Sequence, residues 1–154
     1  MIVLLFLLNL PGIASIFISS VTISVNSQCL NLAEVWLYSQ GSQVSPSSLN
    51  FSMSSTGAWC TSHGLTGGSS PCSASFCNDG LFSTICHSGC TGVNNLVVRL
   101  SEPTQVDEIV IQNRQDALQQ RLGGATVAGY LYNAVLWSTA IPPTSALSYT
   151  IEID

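Results

Sequence analysis

Apolar and polar positions alternate along much of this chain with a period of two, the pattern of strands that bury one face. Val21, Ile23 and Val25 alternate with Thr22 and Ser24 and mark a first strand. Leu32–Tyr38 (LAEVWLY) reads as a second, closed by the turn residues SQGS. From Leu96 the pattern sharpens into LVVRL (Leu96–Leu100), EIVIQN (Glu108–Asn113), ATVAGYLY (Ala125–Tyr132), VLWS (Val135–Ser138) and LSYTIEI (Leu147–Ile153). SEPTQ, GG and PPTS punctuate these segments. Short strands at regular spacing with no competing helical period predict an all-β sandwich or barrel. The stretch from Val44 to Ser75 is rich in Ser, Gly, Thr and Pro and nearly aperiodic. It is too long for a structureless loop, so short strands, disulfides or a binding function are expected there.

Composition narrows the function classes. The chain has 154 residues, 7% of them charged, with a net charge of −5 and no lysine; its cations are Arg99, Arg114 and Arg121. A nucleic-acid binder needs a basic face to neutralise phosphates, and three arginines cannot build one. Attraction to anionic lipid is excluded on the same ground. The apolar run Met1–Leu10, followed by Gly12 and Ala14, reads as a signal peptide over residues 1–14, with one domain over 20–154. A secreted, extracellular protein is expected.

The six cysteines (Cys29, Cys60, Cys72, Cys77, Cys86 and Cys90) suit disulfides in that setting. Spacing does not fix the pairing; Cys77–Cys86 is the preferred pair and Cys60–Cys72 the next. A zinc site using Cys77, Cys86, His87 and Cys90 lacks the usual paired C-x-x-C spacing. No nucleophile elbow and no usefully spaced carboxylate pair is present, so an enzyme is not expected.

Three segments carry a family resemblance: LNLAEVWLY near the start, CNDG in the middle, and IVIQNRQDALQQRLGGATV later. In this order they resemble the F-type lectin (fucolectin) branch of the discoidin-like, galactose-binding-domain superfamily, over about Val21 to Glu152. The resemblance implies a disulfide-stapled jelly-roll β-sandwich that binds a terminal fucose or related sugar on glycans or glycoproteins. It also implies sugar contact by one His and by two Arg of an R-x-D-x4-R segment. That segment is Arg114 to Arg121 here, and His87 lies at the matching distance upstream, with Asp116 as orienter of a guanidinium. Where the family has adjacent cysteines that pack on the sugar, this chain has Ala117 and Leu118. Leu118 or Trp59 is then the apolar platform, though Trp59 also suits the core.

The resemblance further implies a structural calcium ion, Ca2+, near the Asp-Gly loop. Asp79 and Glu152 would supply carboxylates, Phe76 and Leu81 carbonyls, and Ser83 or Thr84 a further oxygen. Calcium takes six to eight oxygens, so a mixed set of this kind is chemically apt. The chemistry of the sugar site stands beside the resemblance: an Arg fork can hold two adjacent hydroxyls at once, and a His can donate or accept. The plainer readings are loop salt bridges for the arginines, an ordinary turn at Asn78-Asp79-Gly80, and an adhesion or assembly module that has lost sugar binding. A homo-oligomer or a place in a larger multidomain chain fits either function.

Overall fold

A computed structural model describes residues 16–55 and 72–153. The expected signal peptide (1–14), Trp59 and Cys60 lie outside the described residues. Among the described residues ten strands form two antiparallel sheets packed face to face. The first sheet runs β4 (Leu49–Met53), β6 (Val93–Gln105), β1 (Phe17–Asn26), β8 (Thr126–Leu131), β9 (Ala134–Ala140). The second runs β10 (Ser148–Glu152), β7 (Glu108–Asn113), β2 (Asn31–Ser39), β3 (Ser42–Gln43), with the short β5 (Cys86–His87) also pairing β2.

The alternation read from the sequence is what fills the space between the sheets. Val21, Ile23 and Val25 of β1 and Leu96 and Val98 of β6 face Val35 and Leu37 of β2 and Ile109 and Ile111 of β7 in one buried cluster. A register shift between Ile18 and Ser20 lets Ile18 and Val21, three positions apart, both point inward. β6 is longer than LVVRL predicts and runs on through Pro103. Leu49 of β4 pairs Leu100, so β6 has no neighbour on that side beyond it, and a missing proline N–H breaks no ladder there.

Two disulfides staple the described residues. Cys77–Cys86 closes a short loop, as expected; Cys29–Cys90 joins positions 61 apart. By loop entropy the longer closure contributes about 4 kcal/mol and the shorter about 2.5 kcal/mol. Cys72 is also disulfide-bonded. Such bonds place the chain in an oxidising environment.

The outer part of the first sheet contains one tight contact. Gly129 of β8 sits opposite Trp137 of β9, and a Cβ at 129 would fall 2.3 Å from the indole nitrogen. Gly129→Ala is therefore expected to displace the indole and cost about 1–3 kcal/mol. Urea denaturation checks this. An unchanged midpoint would mean that the ring does not cover the glycine.

Candidate functional site

The second sheet brings most of the sequence-predicted sugar residues together. In β2, Asn31 pairs His87 of β5 on one side, while Leu32 pairs Asn113 of β7 on the other. Arg114 follows Asn113 directly, and its Nη1 donates to Asn31 Oδ1 at 2.9 Å. His87 of β5, Asn31 of β2 and Arg114, just past the end of β7, thus form a row, spaced by about 4.8 Å per strand. Arg121 stands on a 3₁₀ turn, Gln119–Leu122, and its Nη1 reaches Cys29 Sγ at 3.5 Å. Both guanidinium groups are close enough to act electrostatically on His87.

The groups in this cluster differ in how free they are. Arg114 is only 8% exposed. Its Nε donates to Asp116 Oδ1 at 2.5 Å, and its Nη2 pairs Asp116 Oδ2. Of five N–H groups, these bonds and the one to Asn31 leave one on each terminal nitrogen. Arg121 is half-buried, and among the described residues its guanidinium has one hydrogen-bond partner, the weak sulfur acceptor of Cys29. Asp116 is exposed, and hydrogen bonding from Arg114 holds its carboxyl below the usual range. Its Oδ1 also accepts from the backbone amide of half-buried Leu118 at 3.0 Å.

His87 is half-buried, and its Nδ1 lies 2.7 Å from the Ser88 carbonyl. A carbonyl only accepts, so Nδ1 carries the hydrogen and Nε2 of the neutral ring is an acceptor. Burial, then the charges of Arg114 and Arg121, push the imidazole below its ordinary 6.5, with the Ser88 bond acting the other way. At neutral pH the cluster therefore offers cationic donors around one neutral acceptor.

The cation site differs from the sequence expectation. Glu152 does not reach Asp79. It pairs Glu108 at the far end of β10, four residues from the Ser148–Gln112 pair that lies level with Glu34. That is about 13 Å along the strand, besides the width of the intervening β7. The carboxylate beside Asp79 belongs to Glu34 of β2. Glu34 is fully buried, and its Oε1 accepts from Gly80 N at 2.8 Å and Leu81 N at 3.1 Å. Its Oε2 is buried without a hydrogen-bond partner.

Asp79 is exposed and accepts from Leu81 N at 2.9 Å; the Thr84 hydroxyl lies 2.8 Å from its Oδ2 and 2.9 Å from the Leu81 carbonyl. Phe76 lies in the 3₁₀ turn Ala74–Cys77 against the core, and Ser83 is exposed. Among the described residues no group of three or more His, Cys, Asp or Glu side chains is arranged to hold a metal. A hard cation here would use two carboxylates, the Leu81 carbonyl and the Thr84 hydroxyl. The buried, unpartnered Glu34 oxygen fits that use. Its sequence signal was a lone carboxylate inside the apolar run LAEVWLY.

Burial, then the adjoining Asp79 carboxyl, raises Glu34 from its ordinary 4.5 to about 7, while the amides of Gly80 and Leu81 pull it down. A raised acid favours the fold while protonated. Without added cations, stability is therefore expected to fall between about pH 4.5 and 7, by on the order of 3 kcal/mol. Glu34→Gln should flatten that slope; equal slopes in thermal melts of both proteins would show that Glu34 does not hold the extra proton. No protein-family model, curated protein or solved structure matches the chain.

Proposed function

We propose that this chain is a secreted or cell-surface lectin-like module of the discoidin-like jelly-roll type. It binds a terminal sugar, fucose or a related one, and is supported by a structural calcium ion. The observation that carries this reading is the meeting of His87, Arg114 and Arg121 at one end of the second sheet. In a chain with three cations, two of them flank its one described imidazole.

Each group has a defined task. The fork of Arg121 donates to two neighbouring sugar oxygens, and the spare N–H groups of Arg114 donate to a third. Nε2 of neutral His87 accepts from a hydroxyl. Asp116 fixes the plane of Arg114 through two parallel bonds. Leu118 offers an apolar surface to a C–H face or methyl group. Calcium, held by Glu34, Asp79, Leu81 and Thr84, would neutralise the two facing carboxylates and pin the loop that leads into His87. A single shallow site of this kind is expected to bind with Kd of about 0.1–1 mM, or about 4–5.5 kcal/mol. Oligomers or repeated modules would supply avidity.

A second reading, an adhesion or assembly module without sugar binding, draws on the engaged state of Arg114 and on Ala117 and Leu118 in place of a cysteine pair. A glycan array probed with and without calcium separates the two. The lectin reading expects fucosylated or related glycans to be retained and Arg121→Ala to weaken retention about tenfold or more, as loss of a charged hydrogen bond does. Retention unchanged by both Arg121→Ala and Arg114→Ala would remove the site, and an array with no signal favours the second reading.

Because protonation turns Nε2 from acceptor to donor, affinity measured without calcium should weaken as the pH falls below His87's depressed pKa. Calcium should raise the melting temperature at pH 8 in the native chain and not in Glu34→Gln; equal melts with chelator and with calcium would remove the ion.

A further inference from the structure

We propose that the Cys29–Cys90 disulfide is a thiol-operated latch on the sugar site. Its cleavage frees a sulfur anion that captures Arg121 and turns binding off while the sandwich stays folded. The output of this latch rests on the lectin reading; its chemistry does not.

The two described disulfides differ in access. Cys77 and Cys86 are both fully buried. Cys29 is 7% exposed, but its partner Cys90 is exposed on the surface. Of these four cysteines only Cys90 is exposed, so an incoming thiolate approaches the bond from that end. The other end of that bond is built to leave: Arg121 Nη1 lies 3.5 Å from Cys29 Sγ. A cation beside a thiol stabilises its thiolate, and a better-stabilised thiolate leaves faster.

The exchange balances with a monothiol such as glutathione as reductant. Its thiolate bonds to Cys90 Sγ, the Cys29–Cys90 bond breaks, and the electron pair departs on Cys29 Sγ. A second thiolate attacks the glutathione sulfur of the mixed disulfide and releases Cys90 as a thiolate that takes a proton from water. Two thiols have become one disulfide, and the cystine has gained two electrons. Cys29 remains as a thiolate against the guanidinium. A neutral disulfide sulfur is a weak acceptor that leaves the fork free, whereas a thiolate makes a charge-assisted pair with it.

The surrounding bonds do not need the bridge. Ser88 N donates to the Leu30 carbonyl at 2.9 Å, Leu30 N donates to Ser88 Oγ at 2.8 Å, and β5 stays paired to β2. His87 thus keeps its place while Arg121 loses its freedom.

The test treats the oxidised full chain with graded glutathione buffers, traps thiols with iodoacetamide, and maps them by peptide mass. Cys29 and Cys90 should be labelled at thiol levels where Cys77 and Cys86 stay paired. Affinity for immobilised fucose should fall about tenfold or more and return on reoxidation. In the reduced protein the His87 imidazole, followed by NMR, should titrate closer to its ordinary 6.5 because the charge of Arg121 is neutralised.

Cys29→Ser/Cys90→Ser lacks both bridge and anion, so it should melt lower yet bind more tightly than the reduced native chain. The latch is overturned if Cys77 and Cys86 open first or together with the other pair, if the His87 titration does not move on reduction, or if the serine variant binds as poorly as the reduced protein. An oxidised chain that retains no glycan at all defeats the lectin reading, and labelling order with His87 titration then decides the latch alone.

Discussion

One irregularity in β2 determines where the chemistry lies. Strict alternation from Leu32, which is in the core, would send Glu34 into the core as well. The register shift between Leu32 and Glu34 breaks the alternation, so Val35 and Leu37 take the inward positions and Glu34 turns to the outer face. Asn31, between core residues Leu30 and Leu32, also projects away from the core and meets Arg114. Without that shift a carboxylate would stand among aliphatic side chains with no donor, at a cost of several kcal/mol. With it, Glu34 finds the amides of Gly80 and Leu81, and Asn31 Oδ1 at the start of the strand accepts from Arg114.

Two carboxyl groups show how differently the sheet treats charge on its two sides. Asp116 is exposed and gripped by Arg114, so it stays ionised and its pKa lies low. Glu34 is buried beside another acid, so its pKa is raised to about 7. With 7% charged residues, there is little background field to blur the contrast. The His87 side is therefore a cationic cluster suited to neutral hydroxyl ligands, and the Asp79 side is an anionic pocket suited to a proton or a hard cation.

Strands were legible in the sequence wherever one face alternates: EIVIQN is β7 end to end, and LAEVWLY lies within β2. The extension of β6 through Pro103 was not, because an edge position tolerates a proline that local rules read as a stop. The Cys77–Cys86 pair was preferred at the outset although spacing alone does not fix it, whereas Cys29–Cys90 depends on which strands become neighbours. The same distinction governs the site. Arg114, Asp116 and Arg121 are local in sequence, so their grouping survives any arrangement of the sheets. The carboxylate opposite Asp79 depends on lateral strand order, and the family resemblance pointed to Glu152 rather than Glu34.

The loop between Cys77 and Cys86 ties these parts into one unit. It lies over the outer face of β2: Gly80 and Leu81 bind Glu34, Phe82 packs edge-on against Trp36, and Cys77 Sγ contacts the Leu32 carbonyl. Its last residue is the cysteine next to His87, and both belong to β5. Whatever changes the charge on Glu34 therefore acts on the loop that sets the imidazole's strand against Asn31. In the proposed function a cation at Glu34 and a ligand at His87 both bear on this one loop, and where both favour its present position linkage makes each strengthen the binding of the other by an equal factor. The coupling needs no moving domain, only a strap with an acid under its middle and an imidazole at its end.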